Sequence, residues 1–519
     1  MDTTVEQSLE YQETKPVSDK HPPGLAVCFF MEMWERFSFY GLKALLIFFL
    51  TQHFLFSDAD AADIFGSYFS LVYALPIIGG LLADKYLGNR KSVILGGILL
   101  CLGHFGMAYE GEQAFRDNSG NLVIDQLALQ TFYFSLALII VGVGLLKPNI
   151  STIVGKLYPK NDPRRDAGFT IFYMGINIGS AVSAIACGYL GETYGWSYGF
   201  GLAGIGMLLG LIGFIFGQSK LEGVAEAPQP AKLRQPFWGR LSLEHSIYLG
   251  LFATVFVIWQ LVQNHAAVGA LLSATSVIAL VAVIWFCLQK SGKVEREQMF
   301  AALSLTLASV IFFLSFEQSG SSMNLFAQRS VDRFIFGFEV PASTLQALNA
   351  IFIVMLAPVF AKLWVSLSNK GIEPSTPMKF VLGIFQVGLG FGALAMGIDF
   401  VSENSIGTEM VNLGWLVLAY LLLTTGELCI SPIGLSMITK LSIPRLMGLM
   451  MGIWFLGSAG AQYIAGLIAK LASSDANVGL TPNQIYYDTF SGIAWLCIIS
   501  AAVFLLFVPL MKKLMHQVH

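Results

Sequence analysis

Charge is what this sequence has least of. Only 12% of its residues are Asp, Glu, Lys or Arg, against about 25% in ordinary soluble proteins, so a chain of this length could not cover itself with polar surface in water. Loop cysteine is missing too. Cys28, Cys101, Cys187, Cys287, Cys429 and Cys497 all fall inside apolar stretches, which gives no disulfide framework and no metal-ligand spacing. There is no G-x-x-x-x-G-K-[ST] loop, no H-E-x-x-H, no G-x-S-x-G and no Cys/His cluster, which argues against ATP drive and against a membrane enzyme with a nucleophile or metal centre. A formal net charge of −3 argues for no nucleic-acid partner. Before His21 no short apolar core leads to a small-residue cleavage site, so residues 1–20 read as a polar, acidic cytoplasmic tail and not as a signal peptide.

What is present is hydrophobic residue, 55% of the chain, gathered into stretches that reach the ~20 residues needed to cross a bilayer. Spans are expected near 25–50, 64–84, 92–109, 127–153, 167–190, 197–217, 245–263, 267–288, 298–327, 342–366, 379–398, 411–438, 445–471 and 487–510, fourteen helices of an all-α polytopic membrane protein. Cationic loops stay in the cytoplasm. Lys85, Arg90 and Lys91 follow the second span, Lys156, Lys160, Arg164 and Arg165 the fourth, Lys290, Lys293 and Arg296 the eighth, and Lys440 and Arg445 the twelfth. The alternate loops carry Asp58, Asp60 and Asp63, then Glu110, Glu112 and Asp125, then Asp399, Glu403 and Glu409. Arg329 and Arg333 break the rule, beside Asp332 and Glu339. Both termini are therefore expected inside.

The stretch 218–240 reads as a cytoplasmic linker, and the two spans after it carry no ionisable residue inside except His265 at their external turn, as in an inserted hairpin facing lipid. Without that hairpin, six plus six helices remain, the plan of a two-bundle transporter with its site near midplane. The expected division is a tail at 1–20, a six-helix bundle at 21–218, linker and hairpin at 219–292, a second six-helix bundle at 293–512 and a cytoplasmic tail at 513–519.

The first span holds EMWERFSFYGLK at 32–43. At ~100° per residue, Glu32, Glu35, Arg36, Tyr40 and Lys43 share an arc of about 140°. Each charge at a span centre costs roughly 2.5–3.5 kcal/mol, so such residues face a polar cavity and pair with one another. A structural ion-pair lock would need only one pair; four charges favour function. The second span runs into GGLLADKYLGNRK at 79–91, which resembles the loop signature of the major facilitator superfamily, with Asp84 and Arg90 as cytoplasmic gate residues. Lys147, in GLLKPNIS at 144–151, is the only cation of the fourth span. On the far side, FEQSGSS at 316–322 and GELCISP at 426–432 each place one acid, Glu317 and Glu427, inside a span. His104 lies on the third span with no acid nearby in sequence and reads as core packing.

With FTIFYMGINIG at 169–179 and the first-span pattern E-x-x-E-R-F-x-Y-Y-G, the chain resembles the proton-dependent oligopeptide transporter (POT, or PTR) family from Leu25 to about Leu510. The inserted hairpin fits its bacterial branch. The resemblance implies a major facilitator fold. It also implies Glu32, Glu35, Arg36 and Glu317 in proton coupling, and Arg36, Tyr40, Lys43, Tyr73, Lys147, Asn177, Asn349, Glu427 and Trp454 around the substrate. Phe39 replaces the first tyrosine of the pattern, and Lys43 stands where many bacterial members have arginine; lysine is a point donor and holds a carboxylate less bidentately.

The expected function is a proton-coupled symporter of the bacterial inner membrane. It would import di- and tripeptides, and peptide-like drugs, with protons as coupling ion, no other cofactor and no obligate protein partner. A peptide is a zwitterion: Arg36, Lys43 and Lys147 would take its carboxylate, Glu427 its ammonium. Protonation of Glu317, with Glu32 and Glu35, would free Arg36 for the substrate. One proton crossing 100 mV releases about 2.3 kcal/mol, enough for roughly fortyfold accumulation. The alternatives are a same-fold transporter of nitrate or another small anion, disfavoured by Glu427, and a non-transporting nutrient sensor.

Overall fold

A computed structural model describes residues 20–159, 162–238, 241–404, 410–473 and 479–516. The tail 1–19, Lys160, Glu409 and residues 517–519 lie outside the described residues. The first bundle contains α1 (Pro23–Phe48), α2 (Asp58–Leu82), α3 (Asn89–Met107), α4 (Gln126–Lys156), α5 (Arg165–Tyr194) and α6 (Trp196–Gly217). The inserted hairpin is α7 (Leu243–Val262) and α8 (His265–Lys290). The second bundle contains α9 (Lys293–Phe316), α10 (Ser322–Ser330), α11 (Ala347–Asn369), α12 (Thr376–Asn404), α13 (Leu413–Leu441), α14 (Met447–Leu471) and α15 (Pro482–Met515). A 3-10 turn, Glu317–Gly320, joins α9 to α10 within one span.

Thirteen helical segments among the described residues are long and apolar enough to cross a membrane. The fourteenth span is α1, extended by a π-helical turn Phe49–His53. It differs from the other thirteen in carrying four charges, Glu32, Glu35, Arg36 and Lys43.

In a bilayer the lipid is as apolar as a leucine, so helices associate through close packing and small residues more than through expulsion of water. The α2–α4 crossing illustrates this. Pro148 has no N–H to give the carbonyl of Gly144 four residues back, and α2 presses Gly79 onto that same carbonyl, so that any Cβ at Gly79 would collide with it. Gly79→Ala is expected to cost about 1–3 kcal/mol through overpacking, read as a lowered melting temperature of the purified protein. Gly80→Ala is the control, because its Cβ would meet Pro148 Cβ at an ordinary 3.6 Å. Equal melting temperatures for the two variants would contradict this account of the crossing.

The first bundle is built on the pairs α3–α4, α1–α5, α1–α6 and α2–α4, the second on α12–α15, α12–α13, α9–α14 and α9–α15. The bundles meet mainly where α2 packs on α14 and α5 on α11, with α10 also touching α1. The contact is made toward the end that carries Asp58. Arg329 grips Asp58 through both terminal guanidinium nitrogens, at 2.5 and 2.8 Å. Lys470 pairs with Asp63 at 2.7 Å, and Glu192 of α5 accepts the backbone N–H of Ser343 at 2.8 Å. On α11 the buried residues are Ala347, Ala350 and Ile353, all in its first two turns. Among the described residues, no ion pair links the bundles at the Lys156 end. Arg329, which broke the charge rule of the loops, is thus half of a bond between bundles, and Arg333 is taken up by Glu339 at 2.6 Å and the carbonyl of Val340.

The expectation of a lipid-facing hairpin needs correction on one face. α7 lies along α4, and α8 lies against α14 and α2, with Val268, Leu272, Ala279 and Val283 buried there.

Candidate functional site

Four spans bring charge to the middle of the molecule. On α1, Arg36 is ion-paired to Glu35 through Nε, donates from Nη2 to Glu35 Oε1 at 2.7 Å, and holds Nε 3.3 Å from Glu32 Oε1. All three side chains are buried, and Glu32 Oε2 has no hydrogen-bond partner among the described residues. The shared helix face explains this grouping, since positions 32 and 36 are one turn apart.

Seven residues beyond Arg36, the same face presents Lys43, whose Nζ donates to Glu317 Oε2 at 2.6 Å. Both side chains are under 10% exposed, at 9% and 7%. This pair joins the two bundles. Glu317 opens the 3-10 turn, so the chain breaks its α-helical ladder at the acid itself; such mid-span turns often mark hinges. Of the three acids expected to act on Arg36, Glu32 and Glu35 hold it, whereas Glu317 is paired with Lys43.

Lys147, half-buried on α4 in the turn that Pro148 distorts, makes no ion pair among the described residues. Its Nζ lies 4.5 Å from the centre of the Tyr73 ring and 6.0 Å from that of Phe39. Arg36 Cζ lies 4.9 Å from the centre of the same Phe39 ring. Phe39 is therefore not merely a tyrosine short of a hydroxyl: it is buried within 6.0 Å of two cations, edge-on to Tyr40 and Phe69, where an aromatic face stabilises positive charge.

In the second bundle, Glu427 on α13 accepts a 3.1 Å hydrogen bond from Asn349 Nδ2 of α11, which also reaches Thr424 Oγ1 at 3.1 Å. No cation pairs with it among the described residues. Thr424 was not anticipated, although its place three residues before Glu427 puts it on the same helix face. Trp454 is buried with its six-membered ring against Gly434 of α13. Asn177 directs its amide to the carbonyl of Tyr173 in its own helix, at 3.1 Å, and neither it nor Trp454 hydrogen-bonds to the other residues of the group.

Asp84 and Arg90 lie far from this centre and do not pair with each other. Arg90 holds Glu226 of the linker through two bonds of 2.6 and 2.9 Å and Gln218 through a third of 2.7 Å, while Lys91 pairs with Glu244 at 2.5 Å. Asp84 is exposed in the π-helical turn Ala83–Leu87. Arg90 and Lys91 thus pair with the linker and with the start of α7, and not with Asp84. His104 is fully buried and neither ring nitrogen has a partner among the described residues. No group of three His, Cys, Asp or Glu among the described residues could hold a metal ion.

Two six-helix bundles closed at one end over a buried, charge-lined centre define a multi-pass membrane transporter of the major facilitator fold. The sequence pattern of the POT family matches residues 90–486. The chain is 35% identical to the peptide transporter YePEPT of Yersinia enterocolitica over 512 residues, covering 96% of each chain. It is 34% identical to dipeptide and tripeptide permease A of Cronobacter turicensis, covering 96% of this chain and 94% of that one. Among solved structures, a glutamate-to-glutamine variant of a peptide transporter POT in complex with alafosfalin superposes with a TM-score of 0.81 at 32% identity, over 99% of both chains. The chain belongs to the POT family.

Proposed function

We propose that this protein imports di- and tripeptides, and peptide-like drugs, across the bacterial inner membrane by proton-coupled symport. Protons are the coupling ion; it catalyses no covalent chemistry, uses no other cofactor and needs no partner protein. The Asp58 end faces outward and both termini lie in the cytoplasm, as the loop charges favour. The ion pairs that join the bundles at the Asp58 end then close the outer side, as one of the two states of alternating access requires.

The observation that carries the reading is a balance of charge. Glu32, Glu35 and Glu317 stand against Arg36, Lys43 and Lys147, three acids to three bases, while Glu427 is hydrogen-bonded by the Asn349 amide and has no ion-pair partner among the described residues. A proton taken up by Glu317 releases Lys43 and leaves one cation uncompensated in a site where an unpaired charge is costly. A peptide carboxylate cancels that cation, and the peptide ammonium cancels Glu427. Proton and zwitterion together restore neutrality at both ends, which neither does alone. A nitrate ion would leave Glu427 unanswered.

Glu427 supplies the test. A hydrogen bond to a charged partner contributes about 1.5–3 kcal/mol, so Glu427→Gln is expected to weaken free dipeptides roughly ten- to a hundredfold. N-acetylated dipeptides, which lack the ammonium, should bind poorly to the unaltered protein and lose little more in the variant. Competition for labelled peptide uptake into liposomes under an imposed proton gradient measures both. Equal losses for free and acetylated peptides would remove Glu427 from the ammonium site and favour the anion transporter.

A further inference from the structure

The geometry points to a function for the inserted hairpin: it is a clamp on the outer gate, and His265 is the positioning residue through which it grips. The inference rests on the transport reading only in requiring that α2 and α14 part at their outer ends.

Those two helices cross backbone to backbone, where a Cβ at Gly66 would lie 3.0 Å from the Cα of Gly466. The hairpin's turn sits at the edge of this crossing and is bonded to three helices. Gln130 of α4 donates to Gln263 at 3.3 Å. His265 Nδ1 lies 2.7 Å from the hydroxyl of Ser67, a fully buried residue of α2. The phenol of Tyr463 on α14 donates to the carbonyl of His265 at 3.1 Å. One turn on, Gly269 leaves room for that phenol, since a Cβ there would stand 2.6 Å from Tyr463 Cζ. Asn264 caps α8 by accepting from Ala267 N–H at 3.0 Å, which fixes the residue before His265.

His265 is thus one residue bonded to α2 by its ring and to α14 by its backbone, so it belongs to neither bundle and touches both. The gate pair Asp63–Lys470 lies beside it, one turn from Ser67 on α2. Asp60, Asp63 and Lys470 are the charged groups that face the ring, with the Tyr463 phenol next to its backbone. When the bundles part outside, Ser67 and Tyr463 separate and His265 can keep only one of them. The hairpin therefore adds its own bonds to the closed outer state and withdraws them from the open one.

Spin labels at Ala59 and Leu480, on the two sides of the outer mouth, report the open-to-closed ratio in the full-length protein in lipid nanodiscs without any substrate. The readout therefore fails or succeeds independently of peptide transport. One neutral hydrogen bond lost from the closed state corresponds to about a fivefold rise in that ratio. His265→Ala and Tyr463→Phe are each expected to produce it. His265→Asn, which keeps a polar atom near the position of Nδ1, is expected to return the ratio at least halfway. An unchanged ratio in His265→Ala, or a rise as large in His265→Asn, overturns the proposal. If His265→Ala does not fold, Tyr463→Phe decides: a rise supports the clamp and an unchanged ratio removes it.

Discussion

Lys147→Ala is expected to abolish concentrative peptide uptake while the protein remains folded. Of the three cations in the centre, Arg36 and Lys43 have carboxylates within bonding distance, whereas Lys147 rests on the rings of Tyr73 and Phe39. Aromatic faces contribute about 0.5–2 kcal/mol to a cation, less than a buried carboxylate partner does. It is the cation best placed to receive a carboxylate without first giving one up. Its loss also leaves three acids against two bases, so the empty site carries an excess negative charge facing a negatively charged peptide terminus. Binding should fall roughly ten- to a hundredfold, from the loss of one charge-assisted bond. Uptake into liposomes with an inward proton gradient, alongside equilibrium peptide binding, measures the two parts. Uptake at the unaltered rate would return Lys147 to a structural role.

Glu317→Gln should separate exchange from accumulation. Glutamine can still accept a hydrogen bond from Lys43, now 2.6 Å from the carboxylate, but it carries no proton that can be released inside. The variant mimics the proton-loaded state permanently: Lys43 is free for a carboxylate in both orientations of the site. Counterflow of labelled against unlabelled peptide should persist and lose its dependence on pH. Uphill uptake, which one proton per cycle can drive about fortyfold per 100 mV, should vanish. Retained uphill accumulation in this variant would place the coupling proton elsewhere, with Glu32 and Glu35 next in order.

The spans were legible because the bilayer imposes one length on all of them, and all fourteen windows correspond to helices of the structure. The arc of α1 was legible for the same physical reason: charges in a membrane helix must face something polar, and a 3.6-residue repeat says which residues face together. Partners distant in sequence were not legible. Lys43 and Glu317 are 274 residues apart, and nothing local distinguishes Lys43 from Arg36 as the mate of that acid. Arg90 was read within its own loop because its partner, Glu226, lies 136 residues on in a linker of unremarkable composition. The buried stripe of α8 was missed since a helix apolar on every side gives no sign of which face meets protein and which meets lipid.

The break at Glu317 has a mechanical meaning. α10 is nine residues long, a stiff rod of about 13 Å. At one joint stands the acid bonded to Lys43, and in its last turn stands Arg329, bonded to Asp58 of the other bundle. The Lys43–Glu317 pair and the Arg329–Asp58 pair, both between the bundles, are thus held at the two ends of one short helix, with the 3-10 turn as the joint at the Glu317 end.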